Sequence, residues 1–175
     1  MKKILFVFLI GAMIFSLATC GSDNDSQAGT ETFAEIMESE GFTVYDTTET
    51  YSSQLIEQSI AASDDVLTVH FLSAGDKADA DLIFYQIMAH KRLQRDLPEE
   101  TIEENTALMF SQLDRHADID EELIANTQNL SSYSETDRLY YEVMRLGNII
   151  LYVETEQENT GEAMRIMNRV GDALV

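Results

Sequence analysis

Residues 138–155 read RLYYEVMRLGNIILYVET. Gly147-Asn148 stands between two runs of aromatic and β-branched side chains, the pattern of a hairpin closed by a two-residue turn. So short a turn fixes the register: Leu146 faces Ile149, Met144 faces Leu151, Glu142 faces Val153 and Tyr140 faces Thr155. Because strand side chains alternate, the opposite face carries Arg145 beside Ile150, Val143 beside Tyr152, and Tyr141 beside Glu154. The first face suits a core. The second gathers Tyr141, Val143, Arg145, Ile150 and Tyr152 where a solvated strand face would be mostly polar. Either the chain supplies a cover, such as a helix near residues 99–113, or these five residues form a docking surface, since exposed aromatics with an arginine match the composition of interaction hot spots.

Elements on both sides of this hairpin extend the pattern. Asn159 with Glu162 caps a last helix whose Ala163, Ile166, Met167, Val170 and Leu174 recur at helical spacing. Upstream, VLTVHFLS (66–73) reads as a strand, and SQLIEQSIAAS (53–63), which a helix would also accommodate, reads better as its hairpin partner across Asp64-Asp65. A helix over 76–95 follows, capped by Asp76 with Asp79 and lined by Ala78, Leu82, Tyr85 and Met88. The only proline, Pro98, separates it from a second helical stretch that carries Thr106, Met109, Phe110 and Leu113. Residues 114–129 read as an acidic connection or a further short helix. Near the start, Thr32 with Glu35 forms a capping box, Phe33, Ile36 and Met37 a stripe, Gly41 a stop, and residues 42–45 a short strand. The chain is therefore expected to be α+β, an antiparallel sheet with helices packed on it. An offset of 83 lays Val66 on Ile149 and Ile87 on Val170 without a gap, so two hairpin-helix (ββα) units, arising by duplication or by shared patterning alone, are also expected.

The first twenty residues set a location. Lys2 and Lys3 precede an uncharged run over 4–18, and at about 1.5 Å per helical residue this run spans roughly 22 Å, less than a bilayer core of roughly 30 Å. A cleaved signal peptide over 1–19 fits better than a permanent span. The run ends in Leu17-Ala18-Thr19-Cys20, which resembles the lipobox of bacterial lipoproteins, with Thr19 where that family usually has Gly, Ala or Ser. The resemblance implies that Cys20 receives a diacylglyceryl group, that cleavage falls before it, and that the chain is held at the extracytoplasmic face of the cell membrane. Ser16 and Ala18 offer an alternative small-x-small site that would release a soluble product. MRLGNIILYVE and the last helix also resemble, loosely, small lipoproteins of Gram-positive bacteria that have no settled activity. Residues 21–29, GSDNDSQAG, have the composition of a flexible tether, so 20–30 is expected to be anchor and tether and 31–175 a single domain.

Cys20 is the only cysteine, and its lipidation would leave no thiol for a disulfide, a nucleophile or a metal. The formal charge of −21 disfavours nucleic acid and anionic lipid headgroups as ligands and leaves cations or basic partners open. The lipoprotein resemblance adds an envelope protein as the expected partner. His70, His90 and His116 share no metal-pair spacing, and neither HExxH nor GxSxG occurs. His116, within LDRHADIDEE, is the best remaining metal candidate, yet that segment reads more simply as a solvated acidic face. No catalytic set, metal site or cofactor is implied. The expected function is non-covalent binding in the envelope; the alternatives are an envelope hydrolase or metal-dependent enzyme, and a small solute-binding component.

Overall fold

The computed structural model describes residues 23–51, 53–64, 66–93, 109–110, 112–118, 129–133 and 139–175. The uncharged run over 4–18, Cys20, the helical stretch before Met109 and the acidic connection after Asp118 lie outside them.

A six-stranded antiparallel sheet organises the chain, in the order β1-β2-β3-β6-β5-β4. Its strands are β1 (Thr43–Asp46), β2 (Ile56–Ser63), β3 (Thr68–Ala74), β4 (Asn129–Tyr133), β5 (Leu139–Leu146) and β6 (Ile149–Glu156). Helices α1 (Asp23–Ser39), α2 (Lys77–Leu93) and α3 (Thr160–Leu174) cover it, which makes the fold α+β as the patterning predicts. The β5–β6 register is the predicted one throughout, from Leu146 opposite Ile149 to Tyr140 opposite Thr155. Gly147 makes the turn possible at φ 63°, a left-handed conformation that glycine adopts without steric cost.

Alternation splits the buried side chains into two cores. Against α1 and α3 lie Val69, Phe71, Leu151 and Val153, packed on Phe33, Met37, Ile166 and Met167. Against α2 lie Leu72, Ala74, Val143, Ile150 and Tyr152, packed on Ile83, Phe84, Ile87, Met109 and Phe110. The sheet is thus the middle of three layers.

Four expectations change. The apolar stripe of α2 is only half the predicted one: Leu82 and Met88 are buried as expected, but Ala78 is exposed and Tyr85 half-buried, and Ala80, Ile83, Phe84 and Ile87 complete the sheet-facing side. This helix has apolar residues on more than one side, and both stripes satisfy a 3.6-residue period. The segment read as a tether is helical from Asp23, so α1 starts nine residues before Thr32. Its Gly29 serves close packing: a Cβ there would sit 2.9 Å from Ile149 Cδ1 and 3.4 Å from Phe71 Cζ. Strand β4 falls at the polar end of the connection, where no alternation of apolar residues announces it.

The fourth change concerns duplication. Both ββα units exist, β2-β3-α2 and β5-β6-α3. However, β3 and β6 lie side by side and antiparallel, β2 and β5 flank them on opposite sides, and the two helices occupy opposite faces. Reversing strand direction, side and face together is an inversion, which no rotation reproduces. The units have opposite hand, so the gapless offset reflects shared strand-then-helix patterning and not a repeated structural unit.

Candidate functional site

Tyr141, Val143, Arg145, Ile150 and Tyr152 do share one face, and that face is interior. Val143, Ile150 and Tyr152 are fully buried, Arg145 nearly so, and Tyr141 packs on the same core. The cover comes from α2 and from Met109, Phe110 and Leu113, the last residues of the predicted second helical stretch. These five residues therefore form no docking surface. Their aromatic character is spent on packing within the chain, as the first of the two sequence readings required.

What the face contains instead is a polar cluster. Lys91, on the last turns of α2, continues the buried stripe of Ala80, Phe84 and Ile87 and meets the Glu154 carboxylate. The Tyr152 hydroxyl donates to the same carboxylate, and Lys91 Nζ lies 5.7 Å from the centre of the Tyr152 ring. Beside it, Phe110 stands edge-on to three rings: Tyr51 at 4.9 Å, His70 at 5.3 Å and Tyr152 at 5.7 Å. Tyr51 Oη and His70 Nδ1 are 3.4 Å apart. A second ion pair, Arg145 with Asp81, ties β5 to α2 on the same face.

Burial sets the electrostatics of this cluster. Desolvation first, and the Lys91 charge second, push the His70 pKa down to about 3. His70 is therefore a neutral ring throughout the range in which a histidine base normally takes a proton. His90, on α2, is also lowered, by burial first and then by Lys91, with Glu154 opposing. Its Nε2 is buried with no hydrogen-bond partner among the described residues. A lysine and a glutamate taken out of water together need each other: the pair fixes the position of α2 on the sheet more than it adds net stability.

The remaining candidates lie apart from this cluster. His116 is exposed in the turn after Leu113, where its backbone N–H donates to Asp114 Oδ1 at 2.9 Å. Arg115 in the same turn reaches back to Asp79 at 2.7 Å, so part of the acidic segment is engaged in anchoring the cover to α2. Among the described residues no group of three or more His, Cys, Asp or Glu could hold a metal ion. An open cleft of about 560 Å³ lies at the β5–β6 turn, walled by Gly29, Thr32, Arg145, Asn148, Ile149 and Leu174. Among the described residues no helix is long and apolar enough to cross a membrane.

Sequence reasoning missed the Lys91–Glu154 pair, although signals for both partners were present. Glu154 follows Ile150 and Tyr152 at a period of two, and Lys91 follows Phe84 and Ile87 on one side of a helix. A charge on each of two otherwise apolar stripes was the available clue. No protein-family model, curated protein or solved structure matches the chain.

Proposed function

We propose that the chain is an exported, lipid-anchored domain of the bacterial cell envelope that acts by non-covalent binding to another envelope protein. The observation that carries this reading is the pattern of residues 1–20, two lysines, an uncharged run and Leu17-Ala18-Thr19-Cys20, followed after two residues by the first helix. Both faces of the sheet are occupied by the chain's own helices, so a partner meets the ends of the sheet, its edges or the outer sides of the helices. The strong acidity of the chain favours a basic or neutral protein surface over nucleic acid.

Metabolic labelling with radioactive palmitate tests the anchor. The wild-type protein is expected to take up label and Cys20→Ala to take up none; equal labelling of the two overturns the anchor. Crosslinking in intact cells, followed by identification of what is trapped, tests the binding role, with one specific envelope protein recovered repeatedly as the expected result.

A further inference from the structure

The fold gives the proposed anchor a direction. Helix α1 runs along the sheet from one end to the other. At Thr30 it is level with Gln58, whose Oε1 accepts from Thr30 Oγ1 at 2.8 Å; at Phe33 it is level with Phe71, 5.3 Å between ring centres; and at Met37 it receives the N–H of Phe42, just before β1 begins opposite Ser63. Gln58 pairs with Ser73 and Ser73 with Ile149. The N-terminal part of α1 therefore lies at the end of the sheet that holds the Gly147-Asn148 turn. Asp23 projects roughly 9 Å beyond the level of Gly29, at about 1.5 Å per residue. The start of α2 and the end of α3 belong to this same end, since Asn148 O accepts from the Ala74 N–H and Gly171 packs on Met144. Asp64 and Val66, with the turn Gln157–Asn159, lie at the other end, roughly 20 Å farther along β3 at about 3.3 Å per residue.

We infer that the end of the molecule bearing the Gly147-Asn148 turn faces the lipid bilayer, and that the end bearing Asp64 and Val66 points away from it. This rests on the anchored reading of Cys20. Three Cα–Cα steps separate Cys20 from Asp23, a reach of at most roughly 11 Å, so a thioether-linked lipid at Cys20 holds this end close to the headgroups whatever path Gly21 and Ser22 take. A long tether would have left orientation free; a helix beginning at Asp23 does not. The exposed Val66 and the acidic Glu156 and Glu158 are then presented outward, where a partner in the envelope can reach them.

Four single substitutions to cysteine in the otherwise intact chain test the direction. Lys77→Cys and Ala173→Cys report the inward end, Val66→Cys and Glu158→Cys the outward end; all four positions are exposed. The rate of modification by a bulky polyethylene-glycol maleimide is measured on intact membranes and again after detergent release. The expected result is a several-fold slowing at residues 77 and 173 on membranes, relieved by detergent, with residues 66 and 158 unchanged. Protein in the membrane fraction with equal rates at all four positions, or with slowing at 66 and 158, overturns the orientation and leaves the anchor standing. Protein that fractionates as soluble overturns the anchor and the orientation with it.

Discussion

The two faces of the sheet are closed by different chemistry. Toward α1 and α3 the core is mainly apolar, Phe33 and Met37 on Phe71, Ile166 and Met167 on Leu151 and Val153, with a buried carboxylate, Glu142, that accepts from the Tyr140 hydroxyl. Toward α2 the core also encloses Lys91 with Glu154, Arg145 with Asp81, and a histidine kept neutral by its surroundings. An apolar contact tolerates small shifts of a helix across a sheet, whereas a buried ion pair is satisfied in one register only. The α2 face is accordingly the one whose geometry is specified most narrowly, and the one where a single substitution has the most to disturb.

Truncation experiments sharpen this contrast. The largest effect is expected at Tyr152, where Tyr152→Ala removes a fully buried ring together with its bond to Glu154 and should cost about 3–5 kcal/mol in chemical unfolding. A variant as stable as wild type would mean that the face is open to solvent. On the other face, Met167→Ala should cost about 2–4 kcal/mol, the ordinary penalty for a cavity without any polar component. The smallest of these effects is expected at Gly29→Ala, whose methyl group meets Ile149 Cδ1, the movable end of a side chain, while helix propensity gains about 0.5–1 kcal/mol, so the thermal midpoint should shift little. A gain of the full helix-propensity amount would show that Ile149 moves aside without loss.

The faces should also differ in their response to acid. Folding holds His70 neutral down to about pH 3, whereas in the unfolded chain the ring protonates near its ordinary 6.5. The unfolded state therefore binds the extra proton first, and stability falls as pH drops below about 6.5, continuing toward pH 3. His70→Phe should flatten that part of the stability profile while leaving stability near pH 7.5 little changed. An unaltered slope would assign the acid sensitivity to other groups.

The legible parts of this fold were those where one local pattern had one solution. The Gly147-Asn148 turn dictated the register of β5 and β6, and the apolar repeat from Ala163 to Val170 dictated α3. That helix starts after Asn159 as read, although the Asn159 side chain makes no cap bond and donates to Thr155 Oγ1 instead. Helix α2 was legible as a helix but only partly in its orientation: Leu82 and Met88 face the core as read, while Ala78 and Tyr85 do not, because its apolar residues satisfy two stripes at once. The N-terminal half of α1 was hidden by a composition typical of linkers; Gly29 belongs there because of the closeness of Ile149, a tertiary reason that no local pattern displays. The interior of the α2 face was half legible. Its aromatic composition demanded a cover, but the choice between the chain's own helix and a partner depended on contacts distant in sequence, from Phe110 and Lys91 to Tyr152 and Glu154.

A double-mutant cycle on Lys91 and Glu154 tests most directly whether the α2 face is a closed interior held by a buried ion pair. Glu154→Leu alone should lower the unfolding free energy by about 3–5 kcal/mol, and Lys91→Met with Glu154→Leu together should regain most of that loss. Two single substitutions that each leave stability within error of wild type, and that add without coupling, would contradict the account.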